Sequence, residues 1–397
     1  MIMQLCNLKI IERDELVNIE VSRENIKNIT GHVKNRNFTT DNTIFFDDAI
    51  AFPGLINSHD HLDFNLFPQI ANRVYHNYKE WGEDIHVCNK EQIQSVLKIP
   101  QSLRTEWGLY KNLLNGITTV VNHGERVPVT NEVISVLQNN YSIHSVQFEK
   151  KWKLKLNNPF KKNQPFVIHI GEGTDKASHE EINDLIRWNL FKRKIVGVHG
   201  VAMDEEQAEA FHALVWCTAS NNFMFDASAP IDELKTKTII LFGTDSTLTS
   251  SWNLWEHLRC ARDTILLTDR ELLDSLTTAP AAIWRQKNIG TLAINKTADI
   301  CVARANNKKS FEAFYSINPG DFLLVMHKGE IRLFDEILQD QLSAAGDSLN
   351  GYSRIRVDNS TKYVYGDVPG LMKKIAFYYP GVQFPISLNK NQHDKAY

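Results

Sequence analysis

Residues 53–61 read Pro53-Gly-Leu-Ile-Asn-Ser-His59-Asp-His61 and join a short apolar run to a pair of histidines. Successive side chains of a β-strand point to opposite faces, so His59 and His61 project from the same face where the strand ends. Two imidazoles that converge in this way form half of a transition-metal site. Taken alone, the pair is a weak signal, because a His-x-His sequence also arises by chance.

Three later apolar runs also end on residues that can bind a metal or carry a proton. His169 ends one run and Glu172 follows it, His199 closes the next, and Asp245 comes shortly after a third. Each has an ordinary structural explanation, such as a capped strand end or a helix N-cap. Four such coincidences together favour one shared site, because the carboxyl ends of barrel strands meet at the same rim.

Short apolar runs alternate with helical periodicity from Ala51 to about residue 290. Ser178-His-Glu-Glu181 and Thr268-Asp-Arg-Glu271 have the pattern of capping boxes at helix starts. This alternation predicts an α/β fold with a parallel sheet, most economically a (β/α)8 barrel of the TIM type. Few residues separate the runs 117–121 and 166–168, so we expect one strand–helix unit between them to be truncated.

A strand period of alternating apolar and polar residues marks residues 1–50 and returns near residue 291. We expect the two chain ends to form a small β-sandwich domain. The predicted organisation is residues 1–50 as its N-terminal part, 51–290 as the β/α barrel, and 291–334 as its C-terminal part. Residues 335–397 are a C-terminal extension for which the pattern predicts no architecture.

The composition of the chain indicates which partners and which cellular compartment to expect. Among 397 residues, 44 Lys and Arg nearly balance 47 Asp and Glu, so no global charge favours nucleic acid. No apolar run is long enough to span a bilayer, the N-terminus lacks a signal-peptide pattern, and five scattered cysteines are typical of reduced thiols. We therefore expect a cytoplasmic protein that acts on a small molecule, with neither a nucleic-acid nor a membrane partner. The lysine-rich run 150–162 is interpreted as a solvated strand face.

The metal-competent residues occur in the order His59-x-His61, His169-x-x-Glu172, His199 and Gly243-Thr-Asp245-Ser. This ordered set resembles the metal-dependent amidohydrolase superfamily, and within it the branch of cytosine deaminase and triazine chlorohydrolase. The resemblance covers about residues 1–304. It implies a β/α barrel with a small β-sandwich, in agreement with the pattern above, and by family habit a homodimer.

The resemblance also implies one divalent metal ion, zinc or iron, with four ligands: His59, His61, His169 and Asp245. It gives Glu172 the task of carrying protons and His199 that of orienting or polarising the attacked group, while Asp245 also accepts a proton from the attacking water. We therefore expect a hydrolase of C–N bonds, which deaminates an amino-substituted heterocycle or an amidine through a metal-activated hydroxide. The alternatives are an amidase or cyclic amidohydrolase on the same site, and a non-catalytic scaffold.

Four further side chains are candidates for contact with the substrate. His123 follows the run 117–121, Asn221 follows the run 215–217, and Trp81 and His86 lie in the segment after the first histidine pair. For each of them, packing or capping explains the sequence equally well.

Overall fold

The structure is a computed structural model that describes residues 2–11, 13–31, 42–129, 132–344 and 349–388. The strands are β1 Ile2–Ile10, β2 Arg13–Ser22, β3 Asn25–Gly31, β4 Thr43–Pro53, β5 Leu55–Asp60, β6 Ile117–Asn122, β7 Ser135–Leu137, β8 Tyr141–Ile143, β9 Phe166–Ile170, β10 Ile195–His199, β11 Ala213–Trp216, β12 Ile239–Phe242, β13 Ile300–Arg304, β14 Phe322–His327, β15 Glu330–Asp335, β16 Tyr352–Val357, β17 Ser360–Tyr365 and β18 Ile386–Leu388.

The α-helices are α1 Tyr78–Cys88, α2 Lys90–Leu97, α3 Gln101–Leu114, α4 Trp152–Leu156, α5 Lys176–Trp188, α6 Glu205–Ala208, α7 Thr218–Phe225, α8 Ile231–Leu234, α9 Leu254–Asp263, α10 Asp269–Asp274, α11 Thr278–Ile283, α12 Ser310–Tyr315, α13 Gln339–Ala344 and α14 Val368–Tyr378. Short 3-10 turns lie at Leu62–Phe64, Pro159–Lys161, Pro319–Asp321 and Glu336–Leu338. None of these described helices is long and apolar enough to cross a bilayer.

The chain divides into two compact units. The first comprises Met1–Leu55, Tyr110–Thr118 and Asn288–Tyr397, and the second comprises Ile56–Leu109 and Thr119–Lys287. The first unit therefore takes residues from both chain ends, and the second holds most of the strand–helix alternation.

Parallel strands form the framework of the second unit. A five-stranded sheet has the order β12-β11-β10-β9-β8, and each neighbouring pair in it is parallel. A three-stranded sheet has the order β5-β6-β7, with β6 and β7 parallel. Helices follow β5, β9, β10, β11 and β12 along the chain. The predicted α/β fold with parallel sheets is confirmed.

The connections from β6 to β7 and from β7 to β8 are unusually short for a strand–helix repeat. Only residues 138–140 separate β7 from β8, and the described residues between β6 and β7 contain no helix. Among the described residues, no helix follows β6 or β7 before the next strand. The sequence predicts one truncated strand–helix unit here, whereas two units lack their helix.

The two predicted capping boxes differ in outcome. Thr268 is an N-cap whose box with Glu271 is present in full. At α5 the prediction is wrong, because Asp175 is the N-cap and its carboxylate accepts a hydrogen bond from the Ser178 amide at 2.9 Å. Asp175 has the extended backbone that a cap requires, whereas Ser178 already lies inside the helix. Glu181 is consequently free of a capping role and is buried.

A single ten-stranded sheet runs through the first unit in the order β18-β16-β17-β15-β14-β13-β4-β1-β2-β3. Strand β4 is parallel to β1 and antiparallel to β13, so it joins the two chain ends. Apolar side chains of this sheet form one buried hydrophobic cluster, which includes Leu5, Ile19, Ile44 and Val302. The C-terminal extension has an architecture after all, because β16, β17 and β18 add to the edge of this sheet.

A buried lysine fixes β17 in that sheet. Lys362 is fully buried, and its ammonium donates to Gly320 O at 2.7 Å, Phe322 O at 2.6 Å and Asp335 Oδ2 at 2.6 Å. Desolvation lowers the pKa of Lys362 to about 8, although the adjacent carboxylate of Asp335 counteracts this shift. A buried charge is tolerated here because all three donors of the ammonium have acceptors.

Candidate metal centre

Six histidines converge at the carboxyl ends of the parallel strands in the second unit. They lie in or directly after β5, β6, β8, β9 and β10, and are His59, His61, His123, His144, His169 and His199. The ring of His59 has its centroid 5.0 Å from that of His61, 4.9 Å from that of His169 and 5.9 Å from that of His199. The strand ends predicted to share a site are therefore together.

The spacing of the ligand atoms suits one metal ion. His59 Nε2 and His169 Nε2 are 3.2 Å apart, close to the ~3.3 Å expected for two nitrogens at a tetrahedral zinc ion. Asp245 Oδ1 lies 3.8 Å from His59 Nε2 and 3.8 Å from His61 Nε2. Two groups of donors could hold a metal, and both contain His59: one adds His123 and His169, the other His199 and Asp245.

Neighbouring hydroxyls fix the orientation of the Asp245 carboxylate. Ser220 and Thr249 donate to Oδ2 at 2.8 and 2.9 Å, and the Ser246 amide donates to Oδ1 at 2.9 Å. Burial would raise the pKa of Asp245, but His61, His199 and the two hydroxyl hydrogen bonds outweigh it and lower the pKa. An ionised carboxylate with one oxygen directed at the histidines is the form that a metal needs.

Two site residues have a backbone conformation that side chains other than glycine rarely adopt. His199 has φ of +75° and Asp245 has φ of +56°. Such strain persists only where the surrounding structure enforces it, and it is concentrated at functional sites.

A glycine allows the strands to approach each other behind the histidines. A Cβ atom on Gly243 would lie 2.7 Å from His59 Cβ, 2.7 Å from Val215 Cγ1 and 3.1 Å from Cys217 Sγ. These distances are too short for any larger residue. Gly243 is thus required for His59 to sit where it does.

Three histidines of the cluster favour the neutral form. Desolvation, together with the proximity of other imidazoles, lowers the pKa of His59, His123 and His169 well below the ordinary value. Neutral imidazole has a free lone pair, and it is the form that binds transition metals.

Glu172 has the opposite character. Its carboxyl is buried, and Oε1 lies 3.5 Å from His199 Nε2. Desolvation raises the pKa of Glu172 well above its ordinary value, and the negative charges of Asp245 and Glu181 raise it further. The raised pKa favours the carboxylic acid form, which can donate a proton. His199 is oriented toward it because its Nδ1 donates to Asn221 Oδ1 at 2.8 Å.

A second buried carboxyl supports the loop that carries Glu172. Glu181 on α5 accepts a hydrogen bond from the Gly171 amide at 2.9 Å. Gly171 has φ of +59°, so this bond holds a left-handed turn between His169 and Glu172. The Tyr78 amide donates to the carbonyl of Glu172 at 3.1 Å and fixes the far side of the turn. Desolvation raises the pKa of Glu181 to about 7.

The substrate-binding candidates divide into two groups. His123 is buried and stacks on His169 at 4.2 Å, and Asn221 contacts His199, so both lie in the cluster. Trp81 packs in an apolar cluster with Tyr78, and its Nε1 donates to a backbone carbonyl. His86 is exposed near the end of α1. The described contacts that join the six histidines include neither Trp81 nor His86.

Four residues near the site were not predicted: His144, Glu181, Ser220 and Thr249. His144 is exposed beside the cluster, and its ring lies 4.9 Å from that of His169. The signal was present, since Tyr141-Ser-Ile-His144 is another short strand that ends on a histidine. Its three strand residues are too few to establish a period.

The chain is similar to proteins of known name and structure. No family model matches the chain. One curated relative is named 5-methylthioadenosine/S-adenosylhomocysteine deaminase and comes from Caldanaerobacter subterraneus subsp. tengcongensis. It is 22% identical over an alignment of 396 positions, which covers 82% of this chain and 91% of that protein.

Several solved structures share the fold. A variant of atrazine chlorohydrolase TrzN from Arthrobacter aurescens TC1, complexed with zinc and atraton, has a TM-score of 0.67 at 16% identity and covers 86% of this chain and 100% of its own. A zinc-bound adenosine deaminase from Xanthomonas campestris has a TM-score of 0.67 at 15% identity, with 87% and 96% covered. Guanine deaminase from C. acetobutylicum with bound guanine has a TM-score of 0.61 at 12% identity, with 83% and 100% covered. These comparisons confirm the predicted resemblance to metal-dependent amidohydrolases.

Proposed function

We propose that this protein is a metal-dependent hydrolase of C–N bonds that deaminates an amino-substituted heterocycle or a related amidine. The observation that carries the proposal is the buried carboxyl of Glu172, whose Oε1 lies 3.5 Å from His199 Nε2, beside a cluster of histidines and the Asp245 carboxylate. This arrangement pairs a proton donor with a metal-ligand set, which hydrolysis of an unreactive C–N bond needs. The deaminase relative and the zinc-containing neighbours support the same class of reaction and the choice of zinc.

The donor set fits the metal that the resemblance implies. His59, His61, His169 and Asp245 would hold one divalent ion: His59 Nε2 lies 3.2 Å from His169 Nε2, and Asp245 Oδ1 lies 3.8 Å from the Nε2 atoms of His59 and His61. When bound, the ion supplies Lewis acidity, which makes water a nucleophile near neutral pH. Asp245 accepts the proton of the attacking water through the oxygen that faces the histidines.

Glu172 and His199 act on the substrate. Glu172 gives its proton to a ring nitrogen or to the departing amino group, so that the C–N bond breaks as ammonia leaves and a C–O bond takes its place. His199 orients the attacked group by accepting a hydrogen bond from it at Nε2, because its Nδ1 donates to Asn221. Neutral His123 offers a hydrogen bond or a ring face to the substrate. Trp81 and His86 remain candidate substrate contacts from the sequence, with no geometric support.

The finer architecture is also a proposal. The backbone amide of Asp245 donates to the carbonyl of His59 at 3.1 Å, and the Thr244 amide donates to Asn57 Oδ1 at 3.1 Å. These bonds link the end of β12 to β5 and support closure of the eight parallel strands into a barrel over residues 51–290. The ten-stranded sheet would then be the β-sandwich of residues 1–50 and 291–334, enlarged by the extension 335–397. We further propose a cytoplasmic homodimer.

The test is ammonia release from a panel of amino-heterocycles, amidines and primary amides by the zinc-loaded protein. Glu172→Gln is the control, because it keeps the shape and the metal ligands but has no proton to give. We expect release from amino-heterocycles or amidines, lowered at least ~100-fold in the variant with unchanged zinc content. Release from primary amides alone would indicate the amidase, and full activity in Glu172→Gln would refute the assigned role. A protein that neither holds nor takes up metal would indicate the scaffold.

A further inference from the structure

Two segments of the second unit concentrate positive charge. Residues 150–163 contain six lysines, and residues 187–194 contain four lysines and arginines, without a single acidic residue in either segment. The whole chain has a net charge of −3, so these ten cations are a local feature that the overall composition conceals.

The two segments form one surface, which we call the basic face. Asn157 Nδ2 donates to the carbonyl of Trp188 at 2.8 Å, and the Leu190 amide donates to Asn157 Oδ1 at 3.1 Å. The guanidinium of Arg193 donates to the carbonyls of Leu156 and Lys161 at 3.2 and 2.6 Å. These bonds hold the segments side by side.

Large apolar side chains are exposed on the same face. The exposed fractions are 94% for Phe160, 74% for Leu154, 66% for Leu190, 57% for Phe191 and 37% for Trp188. Contiguous exposed apolar groups on a soluble domain mark an interaction surface. The interpretation of run 150–162 as a solvated strand face is wrong, because the run contains α4 and a 3-10 turn and buries Trp152 and Leu156 while it exposes Leu154 and Phe160.

We propose that the basic face binds the surface of an anionic membrane, with Phe160 and Phe191 entering the boundary between headgroups and acyl chains. Lysines around exposed aromatic and leucine side chains are the combination that peripheral membrane contacts use. Phe160 lies in the turn Pro159–Lys161 and is followed by Lys161 and Lys162. Because its side chain is almost completely exposed, it protrudes from the surface and does not line a groove.

The other occupants fit less well. A symmetric contact with a second copy would oppose lysines with lysines. A nucleic acid would gain nothing from Leu154 or Leu190, and Lys153 Nζ already lies 4.1 Å above the ring of Trp188, where a base would stack. An acidic peptide would require a groove, whereas Phe160 projects outward.

The position of the face is compatible with catalysis. Arg193 lies 5.4 Å from the ring centroid of Tyr141 and 5.1 Å from that of Phe166, the first residues of β8 and β9. The basic face is therefore at the amino ends of these strands, and the histidines are at their carboxyl ends. A membrane bound at this face would leave the metal centre open to water.

Co-sedimentation with vesicles tests the proposal without any assay of catalysis. The probes are vesicles of phosphatidylcholine alone and of phosphatidylcholine with an equal part of phosphatidylglycerol. We expect binding to the anionic vesicles only, with a strong decrease as salt is raised. The double variant Lys161→Gln/Lys162→Gln should weaken binding at least ~20-fold, at about fivefold per lysine. Phe160→Ser should weaken it about tenfold or more.

Matched controls use residues of the same unit and type outside the face. Lys176→Gln removes a lysine from α5, and Ile265→Ser removes a side chain that is 85% exposed, so both should bind like the wild type. Equal binding to neutral vesicles, or no effect of Phe160→Ser, would overturn the proposal. Tighter binding to single-stranded DNA than to anionic vesicles would assign the face to nucleic acid instead. Loss of self-association in the variants, with no vesicle binding by any form, would assign it to a dimer contact.

Discussion

Glu181 provides the sharpest quantitative test of the electrostatics around the site. Its pKa is raised from 4.5 to about 7, chiefly by desolvation, so the folded protein holds this proton more tightly than the unfolded chain does. The contribution of Glu181 to stability is therefore present below about pH 4.5 and is lost as pH rises through about 7. One pKa unit corresponds to about 1.4 kcal/mol, so the loss approaches about 3 kcal/mol by about pH 8.

The variant Glu181→Gln cannot ionise, yet its amide oxygen can still accept the hydrogen bond from Gly171. We expect the free energy of unfolding of the variant, relative to wild type, to increase by about 2.5 kcal/mol between about pH 5 and pH 8. Urea unfolding followed by circular dichroism at both pH values measures the difference. Titrations of groups that do not interact with Glu181 cancel, whereas the pKa of Glu172, which the charge of Glu181 raises, is lower in the variant.

Glu180→Gln is the control for this experiment. Glu180 precedes Glu181 on the same helix, is exposed and pairs with Lys176, so its replacement should give a difference that barely changes with pH. A Glu181→Gln difference as flat as that of the control would refute the reasoning, since it would mean that the carboxyl is not desolvated.

Three further outcomes are expected. Asn221→Leu removes the acceptor of the His199 Nδ1 hydrogen bond, so kcat should fall at least ~10-fold. The zinc content per chain, measured by mass spectrometry, should stay constant, and a lower zinc content would contradict the positioning role. Gly171→Ala places a Cβ atom 2.8 Å from Ile182 Cδ1 in a left-handed backbone conformation. It should therefore lower the free energy of unfolding by about 1–2 kcal/mol and Tm by several degrees. An unchanged Tm would contradict the left-handed turn at Gly171. Lys362→Met leaves the buried carboxylate of Asp335 with Arg304 but without Lys362, and should cost about 3 kcal/mol in urea unfolding while that carboxylate is ionised. Stabilisation instead would show that the pair only compensates its own desolvation.

The sequence predicts the parts of the site that occur at strand ends. His59, His169 and His199 follow apolar runs that are long enough to be read as strands, and the structure brings them together. The α/β alternation is readable for the same reason, because each buried strand is a short apolar block.

The supporting residues were out of reach because their roles depend on contacts across the chain. Ser220 is 25 residues from Asp245, and nothing local shows that its hydroxyl reaches that carboxylate. Glu181 has the spacing of a capping box, so the pattern assigned it to a helix start, whereas its carboxyl actually holds Gly171. The tail strands β16 and β17 have no recognisable partner until β15 is in place.

The pairing of β4 with β13 has a consequence for synthesis of the chain. Ala51 lies opposite Val302, so the strand that joins the two chain ends waits for about 250 further residues before its neighbour exists. At about 5–20 residues per second, that delay is roughly 12–50 seconds, during which one edge of β4 is open to pairing with other nascent chains. Residues 56–287, which include the whole second unit, are synthesised before β13, so its parallel strands can form before the ten-stranded sheet is complete.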